Sequence, residues 1–413
     1  MKDNHPSLND LDIFIARQPI FDADYNVVSY ELLFRDGLST LFSHQDPTEA
    51  TSKVLADSFL LFGVHDVAEG KTVFINVTRE ILLEKYIMLL PPDSYAVEVL
   101  ADIKPDDPVI SACRELKEKG YQIVLDDFVY KPELDPLVEL ADMIKLDVLS
   151  TSKSDQQAIL DRFGDSGIEF IAEKVETIEA FQEAVAMGYS QFQGYFFSEP
   201  AIMSRKKIPG IKIHYMQILQ QINQPNLNLD KIEDIIKKDL SLAYSILRYI
   251  NSSFFSLPTE IKSIRHALIV LGEKEVKKWA CLITLSKMGE DKPRALLSHI
   301  LLRAKFCEAL APMVGLKEKD QDLFLMGMFS LINSVIGRPV EEILTEIPIG
   351  EEIKAAIFGS TNKYHKILQL VIAYERGDWH GFANYAKKLN VPEAQIPNLY
   401  INSLIWANSP FIQ

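Results

Sequence analysis

Cysteine is scarce in this chain: three among 413 residues, Cys113, Cys281 and Cys307, an odd and scattered set. That set fits buried thiols in a reducing cytosol better than a disulfide framework. No apolar run reaches the length of a membrane span, and residues 1–12 (MKDNHPSLNDLD) hold no apolar signal core. Positive charge is also in deficit, with 43 Lys and Arg against 58 Asp and Glu and a net charge of −15. That balance argues against a broad electrostatic footprint on nucleic acid or on an anionic membrane, while local basic pockets remain open. The expectation is a soluble cytoplasmic protein with neither membrane nor nucleic acid as partner.

What the sequence does have is a 47% apolar content over a length that suits two or more domains. In the first 200 residues, short β-rich runs each end on a polar, metal-competent side chain. These are SYELLFR with Glu31, TVFINV with Asn76, YAVEVL with Glu98, QIVLDDF with Asp126 and Asp127, MIKLDVL with Lys145 and Asp147, EFIAEKV with Glu173, and FQGYFFS with Gln193. IFIARQPI (13–20) supplies an eighth run. Helix-like segments at 48–62, 108–119, 153–163 and 178–187 alternate with them, which implies crossover units and a mainly parallel sheet. Polar groups at the C-terminal ends of successive parallel strands read as a barrel active site. Adjacent carboxylates such as Asp126 and Asp127 repel, so a cation between them is one reading; taken alone, the pair also fits a helix cap or a solvated turn.

Around 200–209 (PAIMSRKKIP) the texture changes to helical periodicity. Helices are predicted at 211–221, 229–237, 240–250, 263–271, 275–286, 293–313, 321–336, 351–358, 364–376 and 397–407, with Gly272, Gly315, Gly337, Gly350 and Gly377 where helices should stop. The division expected is an α/β barrel over 1–204 and an all-helical domain with a C-terminal helical extension over 205–413.

With these residues in view, the first half resembles the EAL family of bacterial cyclic di-GMP phosphodiesterases. Glu31-Leu32-Leu33 followed by Phe34-Arg35 stands for the family's name motif, and Gln18-Pro19-Ile20 for its entry strand. The resemblance implies a TIM-like (β/α) barrel. It makes Glu31, Asn76, Glu98 and Asp126 ligands of one Mg²⁺ or Mn²⁺, with Asp126 and Asp127 reaching a second. Lys145 and Glu173 then position or deprotonate the attacking water, Gln193 belongs to the shell of water and metal, and Arg35 and Gln18 contact the nucleotide. These residue types suit the chemistry, because phosphodiester hydrolysis needs an activated water and charge relief on phosphoryl oxygens. The absence of Cys and His from the set disfavours zinc.

Three departures bear on the second cation. Val129-Tyr130-Lys131-Pro132-Glu133 replaces the family's Gly- and Ser-rich loop, Ala101 replaces an acid, and Lys174 replaces a glycine. The helical half resembles the HDOD domain, on ILRYINSSFFSLPTEIKSIRHALIVLG (246–272) and GMFSLIN (327–333). Ser330 and Leu331 there replace the metal-binding His-Asp pair of active HD enzymes, so no catalytic metal is expected in that half. YERGDW (374–379) completes the likeness to an EAL–HDOD signalling protein. Two functions follow: an enzyme that binds cyclic di-GMP and hydrolyses it, slowly or with a partner's help, to linear pGpG; or a catalytically inactive adaptor working through protein–protein contacts. In either, the HDOD half reports to a signalling protein, and a homodimer is compatible with the arrangement.

Other features have plainer readings. His299 and His266 read as packed or capped helix histidines, Arg205-Lys206-Lys207 as a solvated linker, and Lys277-Lys278-Trp279 as a solvated helix face.

Overall fold

The computed structural model describes residues 14–35, 68–198 and, with short gaps, 218–408. The expected helix at 48–62, the Arg205-Lys206-Lys207 cluster and the expected 204/205 boundary lie outside the described residues. Two compact units make up the chain.

The first unit is a closed eight-stranded barrel in sequence order: Ile15–Phe21, Val27–Phe34, Thr72–Val77, Tyr95–Leu100, Gln122–Asp126, Met143–Asp147, Glu169–Glu173 and Gln191–Gln193, here β1 to β8. Strands β2 to β8 pair in parallel, whereas β1 runs antiparallel to both of its neighbours, β2 and β8. Each of the eight runs read from the sequence therefore contributes a strand, although FQGYFFS does so only through Phe192 and Gln193 and ends in a 3-10 turn at Phe196–Ser198. The helices Asp107–Glu118, Lys153–Phe163 and Ile178–Met187 start on Asp106, Ser152 and Thr177, whose side chains accept from a backbone N–H three residues on.

Strand periodicity explains why the polar side chains meet. A layer of Ile20, Phe74, Ala96, Val124, Met143 and Ile171 fills the barrel core. Side chains two apart share a face, so Asn76, Glu98, Asp126, Lys145 and Glu173 form the next layer towards the strand C-termini. Outward residues such as Leu32, Ile75, Val97, Leu125, Leu146 and Ala172 are also buried, as expected of a sheet covered on both faces.

The same unit takes in Ile372–Ala383 and Pro392–Ile401, so the helical pattern over 205–413 does not correspond to one uninterrupted domain. Aromatic burial is the cause. Phe14, beside β1, packs edge-on against Trp379 and Phe382 with ring centroids 6.3 and 5.7 Å apart, and Tyr374 contacts Trp379, Phe382 and Tyr400.

The second unit is helical. Ile264–Met288 is bent at Gly272, whose φ of 71° lies outside the helical region, matching the two helices expected at 263–271 and 275–286. The helix expected at 321–336 is instead Asp320–Phe329 and Ile332–Ile336, broken at Ser330 and Leu331. Val340–Glu346 and Trp379–Leu389 are further helices that the sequence pattern left unassigned. Lys277-Lys278-Trp279 is not a solvated face: Lys278 and Trp279 are buried. Lys278 Nζ donates to Glu308 Oε1 at 2.8 Å and lies 4.8 Å from the Phe324 ring centre. A buried ammonium is stable only with such a partner. His299 contacts the buried Arg303 through Nε2 at 2.9 Å, and Arg303 donates to Ser330 Oγ at 3.3 Å, so a guanidinium lies beside the position expected to lack a metal ligand.

Candidate metal centre

Lys145 lies at the centre of the polar layer, with no exposed surface. Its Nζ is 2.8 Å from Glu31 Oε2, 2.9 Å from Glu98 Oε1, 3.4 Å from Asp126 Oδ1 and 3.6 Å from Glu173 Oε1. One ammonium thus faces four carboxylates. Burial alone would lower its pKa, but the four negative charges hold it well above the usual lysine value.

The carboxylates respond differently to the same surroundings. Burial pushes Glu98 far above the usual carboxylate range, with the charges of Glu31 and Asp126 acting in the same direction. Burial likewise raises Asp126. Glu173 is raised to about 7, by burial first and by Asp126 and Glu31 after the opposing pull of Lys145. Glu31 goes the other way: burial is outweighed by the Lys145 charge and by hydrogen bonds from Lys145, Gln193 and Asn76, and the carboxyl is lowered.

Gln193 Nε2 donates to Glu31 Oε2 at 2.6 Å and to Gln18 Oε1 at 2.9 Å, and Asn76 Nδ2 donates to Glu31 Oε1 at 2.7 Å. With their nitrogens so used, the oxygens point elsewhere. Asn76 Oδ1, Glu98 Oε2, Asp126 Oδ1, Glu173 Oε2 and Gln193 Oε1 are buried without a hydrogen-bond partner, although Asp126 Oδ1 keeps its 3.4 Å ion pair to Lys145. Buried acceptors without partners are costly, and a set of them on hard oxygen atoms matches the donors a divalent Mg²⁺ or Mn²⁺ takes. Glu31, Glu98 and Asp126 each offer an oxygen within 4.8 Å of the others.

Backbone geometry fixes the edge of this layer. Gly194 has φ 149°, and a Cβ there would lie 2.0 Å from the Val175 carbonyl oxygen, so the strand end can carry no side chain at that point. Lys174 occupies the left-handed region at φ 57° and its Nζ binds Asp147 Oδ2 at 2.7 Å, which anchors a conformation usually left to glycine.

Seven of the expected site residues therefore share the barrel interior: Glu31, Asn76, Glu98, Asp126, Lys145, Glu173 and Gln193, with Gln18 bonded to the last. Asp127 does not join them. It is exposed, with a left-handed φ of 48°, and its charge acts on the neighbouring Asp126 from the rim. Arg35 is engaged elsewhere, in an ion pair with Glu393, and its guanidinium lies 4.8 Å from the Phe14 ring centre. No signal near Glu393 in the sequence pointed to Arg35, because the two are 358 residues apart.

The EAL domain family matches residues 68–200 and the HDOD domain family residues 208–338. YuxH of Bacillus subtilis (strain 168) is 35% identical over 405 residues, covering 96% of this chain and 98% of that protein. The chain belongs to the EAL–HDOD family. Another similar protein is the cyclic di-GMP phosphodiesterase CdgJ of Vibrio cholerae serotype O1, 29% identical over 397 residues, or 95% of this chain and 92% of that one. Among solved structures, a manganese/cyclic di-GMP complex of Klebsiella pneumoniae BlrP1 is similar to 46% of the chain and to 56% of its own, at 22% identity and a TM-score of 0.35. This EAL–HDOD protein thus pairs a closed barrel with a helical HDOD region. Among its described residues no helix is long and apolar enough to cross a membrane.

Proposed function

We infer that the barrel binds cyclic di-GMP with Mg²⁺ or Mn²⁺ and hydrolyses it, slowly, to the linear dinucleotide pGpG. The observation that carries this reading is the set of partnerless buried oxygens on Asn76, Glu98, Asp126, Glu173 and Gln193 around Glu31. Glu31, Asn76, Glu98 and Asp126 would hold the cation. When bound, that cation supplies charge neutralisation at the phosphoryl oxygens. Lys145 adds a fixed positive charge where negative charge develops, and Gln193 orients Glu31 through its amide. Glu173, with a carboxyl near 7 before metal is added, is suited to accept the proton of an attacking water close to neutral pH.

The replacement of an acid by Ala101 and of the Gly- and Ser-rich loop by residues 129–133 favours slow turnover, since it leaves a second cation less well held. It also supports the second reading, a non-catalytic receptor that signals through protein contacts of the HDOD region. The HDOD region, with Ser330 and Leu331 in its altered motif, serves a signalling protein in a cytoplasmic setting, either as monomer or homodimer. Incubating the purified protein with cyclic di-GMP and Mg²⁺ or Mn²⁺, then resolving products by chromatography, separates the two: linear dinucleotide supports the enzyme, and nucleotide bound but unchanged supports the receptor.

A further inference from the structure

We propose that Arg376 is the guanidinium that takes a phosphate of the bound nucleotide, in the role that the resemblance to the EAL family gives to Arg35. The inference rests on the cyclic di-GMP reading above and concerns which cation of this chain meets the ligand's negative charge.

A cyclic dinucleotide brings two phosphodiester anions to a site already lined by four carboxylates. Among the described residues, Lys145, Lys174, Arg17 and Arg35 each have a fixed task. Lys145 is surrounded by the four acids. Lys174 binds Asp147 at 2.7 Å. Arg17 binds Glu69 at 3.1 Å and lies 4.3 Å from the Tyr30 ring centre. Arg35 is held by Glu393 and lies 4.8 and 5.8 Å from the Phe14 and Phe382 ring centres.

Arg376 differs. It is exposed, and its guanidinium rests over the Tyr195 ring at 5.0 Å with no carboxylate partner among the described residues. It is also tied to the metal-competent cluster by a short chain of hydrogen bonds. Its carbonyl accepts from Gln18 Nε2 at 3.4 Å, Gln18 Oε1 accepts from Gln193 Nε2 at 2.9 Å, and Gln193 Nε2 reaches Glu31 at 2.6 Å. Tyr195 Oη donates to the Glu375 carbonyl at 3.1 Å, so the aromatic platform under the guanidinium and the backbone carrying it are fastened together.

The next residue sets the depth of this approach. Gly377 has φ 67°, and a Cβ on it would come 2.7 Å from Leu33 Cδ1. Leu33 shares its face of β2 with Glu31 by the two-residue strand period. The segment carrying Arg376 therefore lies against the face of β2 that leads to the metal-competent cluster, and places an uncommitted arginine on an aromatic ring beside it. Arginine stacked on a ring with its donors unused is well suited to a phosphodiester.

Calorimetry of full-length wild type and single variants with cyclic di-GMP and Mg²⁺ or Mn²⁺ tests the assignment, with circular dichroism verifying the fold. Arg376→Ala is expected to weaken binding about ten- to hundredfold, the loss of a charged hydrogen-bond pair. Arg376→Lys should recover part of that loss, while Arg35→Ala stays within about threefold of wild type. Wild type that binds and an Arg376→Ala protein that binds within about twofold of it overturn this inference alone. A large loss in Arg35→Ala with none in Arg376→Ala also overturns it and returns the role to Arg35. Wild type that fails to bind with either metal overturns the cyclic di-GMP reading, and this inference with it.

Discussion

Lys145 Nζ and Glu98 Oε1 lie 2.9 Å apart, and both side chains are without exposed surface. The ammonium neutralises in part the same acids that would hold a divalent cation, so lysine and metal act on one pool of negative charge. Removing either should make the protein depend more heavily on the other.

Lys145→Met is therefore expected to destabilise the protein in EDTA by about 3–5 kcal/mol, the usual cost of stripping the partner from buried charges. Added Mg²⁺ should raise the melting temperature of the variant more than that of wild type. Thermal denaturation with and without metal decides, and a variant as stable as wild type in EDTA would refute the shared-charge account.

Glu173→Gln should abolish hydrolysis while binding of cyclic di-GMP stays within a few-fold of wild type, because a base is lost and the ligands Glu31, Asn76, Glu98 and Asp126 are kept. Product chromatography and calorimetry measure the two separately. Retained turnover in this variant would remove Glu173 from the mechanism.

The same residue gives a pH dependence. Its carboxyl is raised to about 7 in the folded, metal-free protein from 4.5, so the folded state holds a proton that the unfolded state has released. Stability from this group is complete below about 4.5 and is lost as pH rises towards 7; Glu98 and Asp126, also raised, act in the same direction, and the lowered Glu31 opposes them. Urea denaturation in EDTA should give a lower midpoint at pH 7.5 than at pH 5.5, and Mg²⁺ should flatten the difference. A midpoint that climbs over this interval would contradict the raised acids.

Gly194→Ala places a Cβ at 2.0 Å from the Val175 carbonyl, at a φ that side-chain-bearing residues rarely adopt. Loss of about 3 kcal/mol or more is expected, since the neighbour is backbone and cannot rotate away. Chemical denaturation gives the value; a loss under about 1 kcal/mol would mean that the strand end yields easily.

In the helical region, Lys278→Ala should cost about 3–5 kcal/mol by leaving Glu308 without its closest cation in a largely buried setting. Lys305, 2.5 Å from Glu308 Oε2, limits the loss towards the lower figure. Differential scanning calorimetry of the full chain reports it, and an unchanged transition would return Lys278 to the status of a surface charge.

The barrel was legible because its information is local. A strand of five to eight residues carries both its period and its terminal side chain, so Asn76 follows Phe74, Glu98 follows Ala96 and Glu173 follows Ile171 on one face. What stayed hidden depends on distant partners. Lys278 looked solvated in the triplet Lys-Lys-Trp, and partners distant in sequence, Glu308 and the Phe324 ring, make its burial tolerable. The ion pair of Arg35 with Glu393 was equally hidden, since the two lie far apart in sequence. The helix Trp379–Leu389 did leave a trace, with Phe382, Ala386 and Leu389 spaced four and three apart. Asp127 was hidden for another reason: adjacent residues of an extended strand point to opposite faces, so the place of the second carboxylate depends on the backbone turn that follows β5, where its φ is 48°.

The segments Ile372–Ala383 and Pro392–Ile401 in the barrel unit also set the timing of its birth. Arg17 donates its backbone N–H to the Tyr400 hydroxyl, 383 residues later. At ordinary synthesis rates roughly 20 to 80 s pass between the appearance of the two. For that interval the β1–β2 rim waits without Trp379, Phe382 and Tyr400, an apolar edge open to chaperones or to a neighbouring nascent chain. The barrel is thus translated ahead of the segments that finish it, and a chain cut short before Trp379 would carry a rim that has never been closed.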